Sequence, residues 1–148
     1  MVLTRADGGR ARSEGIWMLL ALSIIYAGGL VWTSALAQHV GNLSSHGVKW
    51  VGSDRSQPVP DDGFAGRATR ALRNNLESAA MWVPAALIAV FRDETSTLIT
   101  WVSLVYIVVR TTFTLGYWFK INALRSLSWL VGMFCIAILV VTVLGSMV

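Results

Sequence analysis

The feature that most constrains this chain is a set of long apolar runs with almost no charge. Residues 16–37 and 126–148 contain no Asp, Glu, Lys or Arg, and residues 95–119 contain only Arg110. A helix of about 20 apolar residues, rising 1.5 Å per residue, crosses a hydrocarbon core of about 30 Å. Only 14% of the 148 residues are charged, against about 25% in soluble domains. The runs therefore predict an integral membrane protein with the lipid bilayer as its first partner.

A fourth span is predicted over residues 66–91. Residues 78–91 are uncharged but short, and the polar stretch before them extends the same helix. The connections at 92–94 and 120–125 are short, whereas residues 38–63 are rich in Gly, Ser, Asn and Pro and predict a long loop. The expected fold is an all-α, integral membrane antiparallel four-helix bundle, a single domain over 1–148 with spans at 16–37, 66–91, 95–119 and 126–148.

The distribution of basic residues predicts the orientation of the bundle. On the side of the long loop lie Lys49, Arg55, Arg67, Arg70, Arg73, Lys120 and Arg125; on the other side lie Arg5, Arg10, Arg12 and Arg92. By the positive-inside rule, the loop is expected in the cytoplasm and both termini outside. The first run also has the layout of a signal peptide, but its apolar stretch is longer than a usual signal core and favours a membrane anchor.

Several function classes have no support in the sequence. The net charge of +4 arises beside the apolar runs, where it orients the chain, and no nucleic-acid-binding module is present. The single cysteine, Cys135, cannot form an internal disulfide. The two histidines, His39 and His46, have no Cys or carboxylate at metal-ligand spacing, so no metal site is predicted.

One charge falls inside a span, which makes it a candidate functional residue. An Arg at membrane depth costs about 2.5 to 3.5 kcal/mol on insertion scales. Tyr106, Arg110, Phe113 and Tyr117 follow a spacing of i, i+4, i+7 and i+11 and so share one helix face. This stripe predicts a binding site, or an Arg110 that pairs with Glu77 or with backbone carbonyls and holds the bundle together.

A second polar stripe opens the helix predicted at 66–91. Its members, at i, i+3, i+7 and i+10, are Arg67, Arg70, Asn74 and Glu77, with Arg73 beside them. An Arg73–Glu77 pair is worth only about 0.2 to 0.5 kcal/mol on a helix surface, so helix stability alone does not explain the stripe. It predicts a hydrated pocket or, alternatively, a basic collar at anionic headgroups. Arg125 and Ser126 stand at the start of the last helix, where backbone N–H groups favour an anion.

These residues resemble the MAPEG family, the membrane-associated proteins of eicosanoid and glutathione metabolism. Residues 67–77 look like the family signature of arginines, then Asn, then Glu three residues later, which opens the second of four helices. Arg110, Tyr117, the segment 124–127 and Trp129 follow in the order seen in bacterial members. The resemblance covers residues 63–148 and the position of the first span, with no evident counterpart for the long loop.

The resemblance implies a homotrimer that binds glutathione as co-substrate between protomers, in a bacterial cytoplasmic membrane. It implies that Arg125 and Ser126 are catalytic, facing the thiol. It implies glutathione-binding roles for Arg70, Arg73, Asn74, Glu77, Arg110 and Tyr117. Arginines suit the two carboxylates, and Glu77 suits the amine. The implied function is a membrane transferase or peroxidase that presents the glutathione thiolate to a lipophilic electrophile or hydroperoxide.

The chain also departs from the family pattern. Many relatives have His at the positions of Leu72 and Phe113, and a Pro near residues 79–81. These differences remove possible ligand contacts. They leave open an alternative, a non-catalytic MAPEG-like protein that serves as a structural or accessory subunit of a larger membrane complex.

Overall fold

A computed structural model shows four α-helices joined in sequence. The structure describes the backbone of residues 4–54, 63–94 and 96–147, and side chains from residue 15 onward in those ranges, except that of residue 16. The helices are α1 (Thr4–Val51), α2 (Gly63–Phe91), α3 (Thr97–Trp118) and α4 (Asn122–Gly145). No strand occurs in these ranges, so the predicted all-α four-helix bundle is confirmed.

Consecutive helices run in opposite directions, as in an antiparallel bundle. Between α1 and α2, Trp82 donates a hydrogen bond to Ser23 at 3.0 Å, and Gln38 donates one to Thr69 at 3.1 Å. Later residues of α1 thus meet earlier residues of α2. The connections that follow α2 and α3 are also short, so α3 and α4 reverse direction in turn.

The predicted long loop over 38–63 is wrong for its first part, because residues 38–51 continue α1. This part of α1 contacts the first turns of α2, where Gln38 donates a hydrogen bond to Thr69. Gly41 lies so close to the backbone of Ala65 that a Cβ at residue 41 would be only 3.0 Å from the Ala65 Cα. Within α1, the one residue with a non-helical backbone is Gly47, at φ 77°. Residues 55–62 of the predicted loop lie outside the described part of the chain.

The other boundaries shift by a few residues. α3 was predicted over 95–119 and spans Thr97–Trp118, with the side chain of Ser96 accepting a hydrogen bond from the backbone N–H of Ile99 at 3.2 Å. α4 was predicted from residue 126 but begins at Asn122, so Arg125 and Ser126 belong to its first turns.

The core is built around the small-residue face of α2. Six alanines of α2 are buried: Ala65, Ala68, Ala71, Ala85, Ala86 and Ala89. They let the neighbouring helices approach closely, as small residues do in membrane bundles. Among them Trp82 is fully buried and stacks on Tyr106 of α3 with ring centroids 3.9 Å apart. The Tyr106 hydroxyl shares a 2.9 Å hydrogen bond with Ser78, so the ring stack carries a satisfied polar end.

The outside of the bundle suits a bilayer. Three helical segments are long and apolar enough to cross a membrane: Trp17–Val51, Thr97–Trp118 and Asn122–Gly145. Large apolar side chains are exposed along them, among them Ile25, Val108 and Val141. The helix α2 is not one of the three, since its first turns carry Arg67, Arg70, Arg73 and Glu77. Its buried alanines face the other helices. The membrane crossing predicted at 66–91 therefore requires the neighbouring helices to shield the polar part of α2 from lipid.

The close contact at Gly41 predicts a packing defect on substitution. A Cβ at this position would lie 3.0 Å from the Ala65 Cα and 3.2 Å from the Phe64 ring. We expect Gly41→Ala to destabilise the protein by about 1 to 3 kcal/mol, as overpacking does. In the same helix, Gly15→Ala meets nothing within 4 Å and should be neutral or stabilising by helix propensity. Melting temperatures in detergent compare the two, and equal temperatures would contradict the packing of α1 on α2.

Candidate functional site

The candidate site lies where α3 turns into α4, beside the first turns of α2. A Cβ on Gly116 would lie 2.9 Å from the backbone nitrogen of Arg125, so glycine allows α4 to start directly against α3. The turn itself contains Lys120 in the left-handed region, at φ 61°. This tight reversal brings Arg125 next to the last turn of α3.

Two clefts of similar size meet at this turn. The first, here called the basic cleft, has a volume of about 280 Å³ and is lined by Gly63, Arg67, Arg70, Gly116, Tyr117, Lys120, Asn122 and Arg125. The second, here called the Trp129 cleft, has a volume of about 300 Å³ and is lined by Asn74, Phe113, Tyr117, Arg125, Ser126 and Trp129. Tyr117 and Arg125 form a wall of both, so the two clefts adjoin.

Arg125 is placed to act on a ligand in either cleft. Its guanidinium carbon lies 5.1 Å from the centre of the Tyr117 ring, a cation–π distance that holds the side chain over α3. Ser126, the next residue along α4, lines the Trp129 cleft with it. Both predicted catalytic residues therefore border one cavity, together with the predicted binding residues Asn74 and Tyr117.

Arg110 is buried and lines neither cleft, and its hydrogen bonds with described residues go to α2. Its side chain is 3% exposed. It donates to the Asn74 side-chain oxygen at 3.0 Å, to the Asn74 carbonyl at 3.1 Å, and to the side-chain oxygen of Asn75. Its guanidinium carbon lies 4.4 Å from the centre of the Phe113 ring. Arg110 therefore positions two walls of the Trp129 cleft, Asn74 and Phe113, without lining the cleft itself.

The structure shows one of the two pairings that the sequence suggested for Arg110, the one with a backbone carbonyl. A carbonyl partner is present, that of Asn74, but the other partners are amide oxygens in place of Glu77. Neutral amides satisfy the guanidinium by hydrogen bonding without a second buried charge. The predicted role of Arg110 in holding the bundle together thus has a geometric basis.

Sequence reasoning missed the residue at the centre of this network, Asn75. Besides accepting from Arg110, it donates to Ser34 of α1 at 2.8 Å and to Thr114 of α3 at 3.0 Å. Asn75, Ser34 and Thr114 are all buried. Two signals were available in the sequence. Ser34 and Thr114 are small polar residues inside apolar runs, and Asn75 directly follows Asn74, which the motif had already singled out.

The clefts do not include every predicted site residue. Arg70 lines the basic cleft, whereas Arg73 and Glu77 line neither cleft. Instead, Arg73 and Glu77 form an i,i+4 ion pair at 3.1 Å with their side chains 83% and 53% exposed. Within a single copy of the chain, this pair lies on an open face of α2.

The Asn75 network predicts a large loss of stability on truncation. In Asn75→Ala, a buried guanidinium and two buried hydroxyls lose a partner, and we expect the protein to be destabilised by roughly 2 to 3 kcal/mol. Asn122→Ala removes the same side chain from an exposed position and should cost less than about 1 kcal/mol. Thermal unfolding in detergent measures both variants. Equal melting temperatures would show that the network contributes nothing to stability.

Comparison with known proteins gives one family match. The family model described as "MAPEG family" matches residues 15–145, nearly the whole chain. The match also includes residues 38–62, for which the sequence resemblance had offered no counterpart. No curated protein and no solved structure shows significant similarity to the chain.

Proposed function

We propose that this chain, which belongs to the MAPEG family, is a membrane glutathione-dependent transferase or peroxidase. The observation that carries the proposal is the convergence of Arg125, Ser126, Tyr117 and Asn74 around one cavity. A packed bundle does not require a cation and a hydroxyl side by side at the edge of an open cleft. A thiol that must ionise before it reacts does require such partners.

The chemistry follows from the charge of Arg125. A cation about 4 Å from a thiolate, at an effective dielectric of about 20, stabilises it by about 4 kcal/mol. This lowers the pKa of a thiol near 8.5 by about three, so the thiol is largely ionised at neutral pH. Ser126 adds a hydrogen bond to the sulfur. The thiolate then attacks an electrophilic carbon of an acceptor and either displaces its leaving group or adds to its double bond. With a hydroperoxide it attacks the distal oxygen, which breaks the O–O bond and releases an alcohol. The sulfenic acid so formed reacts with a second glutathione to give glutathione disulfide and water.

The rest of glutathione needs partners that lie around the cavity. Arg70 lies in the adjoining basic cleft and suits a carboxylate, while Asn74 can bond a peptide group. Arg110 acts as a positioning residue, since its donors hold Asn74 and Asn75. The volume of each cleft, about 300 Å³ or less, is at the lower end for small-molecule sites. A complete site therefore calls for a further surface.

A second copy of the chain supplies that surface in our proposal. The Arg73–Glu77 pair is exposed in a single copy, on a helix that lies among membrane spans. Ionised groups at such a place are normally covered by protein or water-lined cavities. We therefore infer a homotrimer, the assembly of the family, in which Glu77 meets the glutathione amine and Arg73 a carboxylate at the boundary between copies.

The acceptor in this proposal is lipophilic and arrives from the bilayer. The Trp129 cleft has aromatic walls, Phe113, Tyr117 and Trp129, next to the thiol position. Three apolar spans and the family make the protein an integral membrane protein, and we place it in a bacterial cytoplasmic membrane.

One observation favours a second candidate, a non-catalytic accessory subunit of a membrane complex. Arg110 and Asn75 are fully engaged within the bundle, so part of the polar stripe serves packing. Arg125 distinguishes the two candidates. Apart from its contact with the Tyr117 ring, packing of the bundle does not require its positive charge, whereas ionisation of a bound thiol does.

Calorimetry of glutathione binding tests the proposal. Titrations in two buffers with different ionisation heats give both affinity and proton release. We expect saturable binding with release of about one proton at pH 7, since the free thiol is protonated and the bound thiol is not. Arg125→Gln should bind glutathione without releasing the proton. Glu77→Gln should bind at least about tenfold more weakly, because a charge-assisted hydrogen bond is worth about 1.5 to 3 kcal/mol.

Two controls make the result specific. Lys49→Gln removes an exposed positive charge near the same end of the bundle, outside both clefts, and should behave like the original protein. S-methylglutathione, which has no ionisable thiol, should bind without proton release. No binding heat from the folded original protein would reject the enzyme and support the accessory subunit.

A further inference from the structure

Arg110 carries a buried positive charge that its hydrogen-bond partners do not offset. Among the described residues its acceptors are all neutral: the side-chain oxygens of Asn74 and Asn75 and the backbone carbonyl of Asn74. The ionisable groups that act on it, Tyr26 of α1 and Tyr106 of α3, are phenols, which are neutral at neutral pH. The guanidinium itself stays protonated. Buried charges are normally paired with an opposite charge. Because Arg110 is not, its positive potential extends beyond its hydrogen bonds.

The helices around Arg110 supply no carboxylate to cancel this charge. Residues 16–51 of α1 and the whole of α3 and α4 contain no Asp or Glu. The one acid of α2, Glu77, pairs with Arg73 at 3.1 Å, and its side chain is half exposed. The acids in the turn after α2 lie roughly 25 Å from Asn75 along the helix. The charge of Arg110 is therefore available to act on a neighbouring anion.

One side chain separates this charge from the Trp129 cleft. The guanidinium carbon of Arg110 lies 4.4 Å from the centre of the Phe113 ring, and Nη1 donates to the Asn74 side chain at 3.0 Å. Phe113 and Asn74 are both walls of the cleft. A ligand atom in contact with the other face of the ring would lie about 8 Å from the guanidinium. Since protein fills the space between them, salt and water screen this charge less than an exposed one.

Asn75 determines that the charge stays uncompensated. An Asp side chain has the same shape, and its carboxylate would accept the same hydrogen bond from Arg110 while adding a negative charge. The amide of Asn75 accepts this bond without a charge. Its nitrogen donates to Ser34 at 2.8 Å and to Thr114 at 3.0 Å, which turns the amide oxygen toward the guanidinium.

We propose that Asn75 is a positioning residue for the reaction of the bound thiol, because its neutral amide holds Arg110 with an uncompensated charge that stabilises the thiolate across Phe113. This inference rests on the proposed function and adds a second cation to Arg125. Neither Asn75 nor Arg110 lines a cleft, so both act on the ligand without touching it. The thiol proton leaves to solvent, and the charge of Arg110 sets in part the pH at which it leaves.

The pH dependence of the thiolate absorbance of bound glutathione tests this inference on the detergent-purified protein. In Asn75→Asp the new carboxylate cancels much of the potential of Arg110. The midpoint should then rise by about one pH unit, as expected for a unit charge about 8 to 10 Å away at an effective dielectric of about 20. The hydroxyls of Ser34 and Thr114 can donate as well as accept, so the network keeps its hydrogen bonds. Arg110→Gln removes the charge directly, should raise the midpoint similarly, and provides the same test if Asn75→Asp does not fold.

Two controls separate charge from geometry. Arg110→Lys keeps the positive charge but has fewer donors, so it should melt at a lower temperature and still ionise the bound thiol near the original midpoint. Lys49→Gln changes the net charge by the same one unit as Asn75→Asp, at an exposed position outside both clefts. Its midpoint should equal that of the original protein.

The outcomes distinguish this inference from the proposed function. An unchanged midpoint in folded Asn75→Asp or Arg110→Gln would overturn the inference. So would equal rises in Arg110→Lys and Arg110→Gln, since altered geometry would then explain both. In these cases the original protein still forms the thiolate, and the proposed function stands. If the original protein did not lower the ionisation pH of glutathione at all, the proposed function would be rejected and this inference with it.

Discussion

The hydrogen bonds from Arg110 to Asn74 and Asn75 are the interaction on which the site most depends. A guanidinium inside an apolar bundle is tolerated only when its donors are satisfied. Here α2 supplies three acceptors, and Asn75 continues the network to α1 and α3. Because hydrogen bonds are directional, this arrangement fixes the register of α2 against α3. The register in turn decides that Asn74 and Phe113 meet at the edge of one cavity.

A second, steric constraint acts at the wall of the Trp129 cleft that Tyr117 and Arg125 form. The absence of a side chain at Gly116 lets α4 begin against the last turn of α3, and Arg125 consequently reaches the Tyr117 ring. The buried network and the glycine contact together place a fixed cation beside an open cleft. Catalysis by electrostatic stabilisation depends on such preorganised charge, because no energy is then spent on rearrangement during the reaction.

Much of this architecture could be predicted from the sequence, because membrane spans depend mainly on local apolar content. The three apolar spans, the order of the four helices and the Arg110 stripe follow from residue content and spacing alone. The extension of α1 through residues 38–51 could not be predicted, since its Gly, Ser and Asn residues are locally unfavourable for a helix and its stability comes from packing on α2, which includes the Gly41–Ala65 contact and the Gln38–Thr69 hydrogen bond. The role of Asn75 was hidden for a similar reason, because Ser34 and Thr114 lie about 40 residues away in sequence. The environment of the exposed Arg73–Glu77 pair could not be predicted either, because it depends on the molecules that surround a single copy of the chain.

The ultraviolet absorbance of the bound thiolate, followed as pH is varied, tests most directly whether Arg125 holds glutathione as a thiolate. We expect the thiol of bound glutathione to ionise about three pH units below that of free glutathione. In Arg125→Gln the midpoint should return toward the free value. If bound glutathione ionised at the same pH as free glutathione in the original protein, Arg125 would not stabilise a thiolate.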